Sequence, residues 1–465
     1  MPERILNLGL KPLERFSKKS RNPFKFFLFI SNFFKPFLII SIYFLLFPSI
    51  SAFSQSDSLF HYLEIAAKNN PTVQQKFTEY QAALQKIPQV GSLADPELSL
   101  GVFLKPMELI SGNQVADIRL MQMLPWFGVL KNAKDEMSLM ANAKFELFRD
   151  AKLQVFYDLQ RTWYQLYKVR KDISISEKNI EILKVIERLA IVRFKVSSST
   201  QSGSMGSSSA NSGLADLYRI QIETGELENN IALLKNQQNS IIVQFNSYLN
   251  RPVTSPVFTA EILAQDSLGF SLIAISDSML ANNPMLGMLE YEKQSLEARK
   301  NMVTRMGYPM VGVGLNYSLI SKNAMSTSSM NGNDMIMPMV TVTLPIYRKK
   351  YIAMQTEADL LKTATSQNYQ ATANSLQTEY YKAVQLFQDA QRRVKLYENQ
   401  YQLASKSLDL ILKSFSTSSS ALTDVLRVRQ QTLDYELKQV EAVADLNTAI
   451  AWLKRLGNLE IRGNM

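Results

Sequence analysis

The sequence predicts an α + β chain made mostly of very long helices, with four strands set in two pairs. Three observations predict this class. First, the chain repeats itself: Asn69-Asn70-Pro71 returns as Asn282-Asn283-Pro284, Pro96 as Pro309, and Leu124-Pro125 as Leu344-Pro345. Leu-Ala-Asp-Leu-Tyr-Arg at 214–219 likewise returns as Leu-Thr-Asp-Val-Leu-Arg at 422–427. Second, apolar residues alternate with polar or small ones after Pro96 and again after Pro309, the period of a strand. Third, apolar residues from Leu376 to Phe415 are spaced alternately by four and three, the seam of a supercoiling helix. A repeat of roughly 210 residues is too long for a solenoid unit of roughly 20–50. It marks a duplicated half, each half ordered helix, two strands, very long helix, tip, long helix.

Before the first half stands a basic leader. Residues 1–54 hold Arg4, Lys11, Arg15, Lys18, Lys19, Arg21, Lys25 and Lys35 against Glu3 and Glu14, so most of the chain's net charge of +10 lies there. An apolar core, Phe37–Phe47, and the small-residue exit Ala52-Phe53-Ser54 fit a secretory signal peptide cleaved after Ser54. That core is shorter than the roughly 20 residues of a membrane-spanning helix. A basic excess in a removable leader does not indicate nucleic-acid binding.

In the first half, Asn70 caps a helix with Pro71 at its first position, and the helix is expected to end before Pro88. Leu98, Leu100, Val102 and Leu104 then share one strand face, with Glu97, Ser99 and Gly101 on the other. After a turn near Ser111-Gly112-Asn113, Ala116, Ile118 and Leu120 alternate with Asp117 and Arg119, and Pro125 ends the strand. The second half repeats the pattern. Val311, Val313, Leu315 and Tyr317 alternate with Gly312, Gly314 and Asn316; Ile336, Val340, Val342 and Leu344 alternate with Met337, Met339, Thr341 and Thr343. Strands of about 9–11 residues are long enough to cross a bilayer. Taken alone, they fit equally well two hairpins of a soluble sheet with one wet face.

The long helices break that tie. In the second half the seam is Leu376, Tyr380, Ala383, Phe387, Ala390, Val394, Tyr397, Tyr401, Ala404, Leu408, Ile411 and Phe415. Leu166, Val169, Ile173, Ser176, Ile180, Leu183, Glu187, Ala190 and Phe194 form a weaker echo. A helix from near Val129 to Val196 would be about 100 Å long at 1.5 Å per residue. Return helices are expected over Leu214–Leu249 and Leu422–Leu456, giving each half a coiled-coil hairpin. The boundaries are 1–54 for the leader, 55–250 for the first repeat, 251–273 for a connecting segment and 274–465 for the second repeat. The tips fall at 197–213 and 416–421.

Enzyme chemistry is poorly supplied. The chain has no cysteine and one histidine, His61, so thiolate sites, His-ligated zinc and a Ser-His-Asp triad are excluded. No cofactor is implied. Methionine is abundant, at 20 residues, and Met325, Met330, Met335, Met337 and Met339 cluster in and after the second strand loop. Thioethers are soft ligands for Cu(I) or Ag(I), while methionine also serves as an ordinary gap-filler.

The leader, the two helix–strand–strand–helix–helix halves, the prolines bounding each strand pair and the Asp-Leu and Asp-Val-Leu tips resemble the outer membrane efflux proteins, the TolC-like family. The resemblance covers essentially all of 57–460. Asp95-Pro-Glu-Leu-Ser-Leu-Gly101 with Leu124-Pro-Trp-Phe-Gly128 is similar to the heavy-metal-efflux branch. The resemblance implies a homotrimer whose twelve strands close one outer-membrane β-barrel facing lipid, continued by an α-helical tube through the periplasm of a Gram-negative cell. It implies a passive exit duct with two partners, a periplasmic adaptor and an inner-membrane pump of proton-driven (RND) or ATP-driven (ABC) type. Asp216, Arg219, Ser420, Asp424 and Arg427 would be tip residues of the gate or adaptor contact. Asp424 matches the first carboxylate of the family's pore constriction; Arg427 stands where a second carboxylate would be, which suggests an Asp/Arg network instead. Asp216 and Asp424 also suit the first turn of a helix, where a carboxylate meets the helix dipole. Asp117 and Arg119 would line the lumen, and Trp126 would be an interfacial aromatic where barrel meets tube. The same resemblance covers ducts for type I protein secretion. From a different class, a soluble periplasmic coiled-coil scaffold with small β caps has the same element order.

Overall fold

The computed structural model describes residues 59–199, 208–417 and 421–459; the leader lies outside them. Helix α1 (Leu59–Asn69) buries Tyr62, Leu63 and Ala66. Asn70 then starts α2 (Pro71–Gly91), its Oδ1 accepting from the N–H groups of Thr72 at 2.9 Å and Val73 at 3.2 Å. The same side chain donates from Nδ2 to the Tyr248 carbonyl at 2.9 Å, so one cap also ties two distant helices together. The duplicate residue Asn283 caps α6 (Pro284–Met306) by accepting from Met285 N–H at 3.0 Å. Helix α2 does not stop before Pro88 but runs through it. A proline there removes a single backbone bond near the end of the helix. The last turn is held by packing on α3, where Gly91 faces the Lys134 side chain, and by a Ser92 hydroxyl donating to the Pro88 carbonyl at 2.7 Å.

Four antiparallel strands form one sheet in the order β1 (Glu97–Leu109), β2 (Gly112–Leu124), β3 (Met310–Ser321), β4 (Met335–Thr343). The β2–β3 pairing joins the two halves, and β1 and β4 are left as edges. Strand β1 is longer than expected because it continues past Pro106. A register shift between Val102 and Met107 admits the proline, which lacks a ladder N–H. The β1–β2 turn is tight and uses Gly112 at φ +122, where a Cβ would strike the Ser321 carbonyl. The β3–β4 loop folds over that turn, with Gly332 N–H donating to Ser111 O at 2.9 Å and the Ser326 hydroxyl to Ile110 O at 2.7 Å.

Two helices dominate the molecule: α3 (Val129–Ser199, 71 residues) and α7 (Arg348–Ser416, 69 residues). At 1.5 Å per residue each is about 100 Å long. Helices α4 (Ser208–Tyr248) and α8 (Leu422–Leu456) return along them. Towards the sheet, α2 and α6 pack on α3, and α6 also packs on α7. All twelve seam positions of α7 are buried or half-buried, with Ala383 and Ala390 fully inaccessible, which permits close helix approach. On α3 the seam departs at one point: Ile186 is buried and Glu187 only half so, as suits a carboxylate beside an isoleucine.

Between α4 and α5 (Leu272–Asn282) the chain has no helix and is strapped down by side chains. Tyr62 and Tyr167 hydroxyls accept from the N–H groups of Phe258 and Leu263, and Trp163 Nε1 donates to Phe258 O. Asn447 both accepts from Asp266 N–H at 2.8 Å and donates to Ala264 O at 3.0 Å. Among the described residues, no helix is long and apolar enough to cross a membrane.

Candidate functional site

Cross-strand register sorts the sheet into two chemically different faces. One face runs Leu98–Leu120–Leu315–Pro338, Leu100–Ile118–Tyr317–Ile336 and Val102–Ala116–Leu319, and continues with Val313–Val340 and Val311–Val342. Leu100, Val102 and Val340 on it are each about 70% exposed, more than an isolated soluble sheet would leave bare. The opposite face runs Glu97–Met121–Gly314–Met339, Ser99–Arg119–Asn316–Met337 and Gly101–Asp117–Ser318–Met335. Asp117 and Arg119 therefore stand together on the polar face, and the Asp117 carboxylate occupies the space a Cβ at Gly101 would need. Of the five methionines singled out above, Met335, Met337 and Met339 share this face. Met325 and Met330 are exposed in the β3–β4 loop and do not join them. Where strands pass into helices, Trp126 stacks on Tyr308 with centroids 5.4 Å apart.

At the far end the two hairpins share one core. Leu183, Ile186 and Ala190 of α3, Ile220 of α4, Phe415 of α7, and Leu422, Val425 and Leu426 of α8 form a single buried cluster. Asp424 lies in the first turn of α8, and Arg427 approaches it within the same chain, Nη2 to Oδ1 at 3.4 Å, with both side chains exposed. Such a pair holds little stability; its value is in placing charge at the tip. Asp216 is not in a first turn, because α4 begins at Ser208 and places it two turns further in, half-buried, with Arg219 exposed. The serine-rich segment is thus helical at both its described ends, 197–199 and 208–213. Residues 200–207 lie outside the described residues, as does Ser420.

One tip residue was not singled out from the sequence. Arg429 of α8 is 1% exposed; its guanidinium donates to the Asn179 carbonyl of α3 at 3.2 Å and lies 3.6 Å from the Glu223 carboxylate of α4. Its Nε has no partner. Burial pushes the Glu223 carboxyl up, against the pull of Arg429. A signal was present: Leu422, Leu426, Arg429 and Leu433 keep the four-three spacing of the seam, so a charge falls where an apolar residue belongs.

The fold, with its two-faced four-stranded sheet and paired long hairpins, is that of the outer-membrane channels. The chain superposes on VceC of Vibrio cholerae with a TM-score of 0.67 at 13% identity, covering 86% of this chain and 96% of that one. It is equally similar to CusC, with a TM-score of 0.67 at 13% identity over 86% and 92%. The open-state MtrE channel of Neisseria gonorrhoeae gives 0.63 at 14% over 86% and 89%. No protein-family model and no curated protein sequence matches the chain. Since VceC and CusC are equally near, the comparisons do not favour the heavy-metal branch.

Proposed function

We propose that the chain is the outer-membrane exit duct of a tripartite efflux system, working as a homotrimer and carrying out no catalysis. The observation that carries this reading is the sheet: two-faced, apolar on one side, and open along both β1 and β4. Exposed sheet edges are not tolerated in hydrocarbon, where each unsatisfied backbone group costs several kcal/mol. Four strands cannot close on themselves. Because β1 and β4 run antiparallel, β4 of one copy can pair with β1 of the next, and three copies make a closed ring of twelve. The apolar face then meets lipid, and Asp117 and Arg119 line the lumen. The hairpins extend the passage by about 100 Å, which suits a periplasmic tube. Asp216, Arg219, Asp424 and Arg427 at its lower end, with Ser420 beside them in sequence, would be available to a periplasmic adaptor bridging to an inner-membrane pump.

The test is single-channel conductance of the detergent-purified protein in planar bilayers, wild type beside Asp424→Ala/Arg427→Ala. A small conductance that rises in the variant is expected. A channel indifferent to the substitutions would remove the tip charges from gating. Protein that stays soluble without detergent and forms no channel would overturn the duct itself.

A further inference from the structure

Every methionine of β2, β3 and β4 lies on the polar face of the sheet: Met121 and Met123, Met310, and Met335, Met337 and Met339. The apolar face of the same strands is built mainly from Leu, Ile and Val. Methionine used as a filler belongs among those apolar side chains; here it is kept apart from them. Two of the thioethers also have a prepared seat. Gly312 and Gly314 lie mid-strand in β3, where a missing side chain weakens a strand and often marks a close approach. The position a Cβ would take at Gly312 is 2.5 Å from the Met123 sulfur and 3.2 Å from the Met121 sulfur. At Gly314 the Met121 sulfur is 3.0 Å away. The two glycines thus floor a shallow trough holding two half-buried sulfurs side by side. Met339 stands across that floor, opposite Gly314 on β4, one strand spacing of about 4.8 Å further on. Glu97, opposite Met121 on β1, supplies a negative charge on the same face.

We propose that this trough, with Met121, Met123 and Met339 as donors, binds a soft monovalent cation, Cu(I) or Ag(I). Neutral thioethers select such ions and bind hard or borderline divalent ones poorly. Among the described residues there is no group of three His, Cys, Asp or Glu side chains that could hold a divalent metal. The inference rests on the polar face being the lumen, and it makes the site a way station for cargo rather than a structural metal.

The probe is Ag(I), added as nitrate in chloride-free buffer to the detergent-purified full chain, with bound silver counted after desalting. About one ion per chain is expected. Met121→Leu/Met123→Leu should weaken binding at least tenfold, while Met325→Leu/Met330→Leu in the loop leaves it unchanged. No retained silver in the wild type, or undiminished binding by the Met121→Leu/Met123→Leu protein, would overturn the site. A second measurement needs no variant: Ag(I) should protect Met121 and Met123, but not Met325, from peroxide oxidation read by peptide mass. Equal oxidation with and without silver would also overturn it. Conductance, measured separately, distinguishes the two readings. A normal channel that binds no silver loses only the metal site, and silver binding without a channel loses only the duct.

Discussion

Replacing Arg429 with methionine removes a charge from the shared core of the two hairpins while keeping most of the volume. The guanidinium lies 3.6 Å from Glu223. At an effective dielectric near 20 their gross attraction is about 4–5 kcal/mol. Desolvating the guanidinium offsets several kcal/mol of this, and its Nε gains no bond in return. In the single variant Glu223, already raised by burial, can take up a proton, which limits the damage. The expected loss is therefore about 2 kcal/mol, or roughly 30-fold in the local opening equilibrium. Arg429→Met/Glu223→Gln should recover most of it, because an apolar replacement for a buried pair is often neutral. The assay is hydrogen exchange by mass spectrometry on peptides spanning 176–190 and 421–433, for wild type, both single variants and the double. The coupling should be about 1.5–3 kcal/mol. A coupling below about 0.5 kcal/mol, or slower exchange in the single variant, would refute the view of Arg429 as a clamp joining α3, α4 and α8.

Asn70→Ala should cost about 2 kcal/mol and Asn283→Ala about 1 in thermal unfolding, because Asn70 loses its bond to Tyr248 O as well as the cap. Asp172, pushed up to about 6 by burial with Lys168 pulling the other way and Glu441 adding to the rise, is one of the pH-sensitive carboxyls of α3, beside Glu136 and Asp150, which burial also raises. Its raised value means the folded chain holds the proton more tightly, so stability should fall as pH rises from about 4 to about 6 and level off above. Asp172→Asn should raise the free energy of unfolding at pH 7.5 by about 3 kcal/mol and leave it nearly unchanged at pH 4. In the sheet, Gly314→Ala should be the costlier of two alanine substitutions, about 1–3 kcal/mol, since its Cβ would meet the Leu120 carbonyl at 2.7 Å. Gly312→Ala meets the movable Met123 and Met121 sulfurs rather than backbone, and its melting midpoint should drop less.

What could be read from the chain was local and periodic. The caps at Asn70 and Asn283, the alternation of Leu98 to Leu104 and the seam from Leu376 to Phe415 each declare themselves within a few residues, and the fold follows from them. What escaped depends on partners distant in sequence. Met121 and Gly312 acquire meaning together only once β2 pairs with β3, a register no local pattern specifies. Pro88 is helical because α3 supports the last turn of α2, against the residue's own preference. Arg429 was legible as a charge on a seam; that it reaches both Asn179 and Glu223 was not.

The unpaired edges of β1 and β4 also bear on how such a molecule comes to exist. The helices bury their seams within one chain, so they can settle early, but the sheet has nowhere to rest until neighbours arrive. In the proposed trimer, completion of the barrel and entry into the bilayer would then be one event. In the same proposed trimer, a copy whose β4 cannot pair would leave a gap in the ring it joins, and the yield of sound rings would fall as the cube of the sound fraction. Damaged copies co-expressed with sound ones would thus act as a poison rather than as a simple loss.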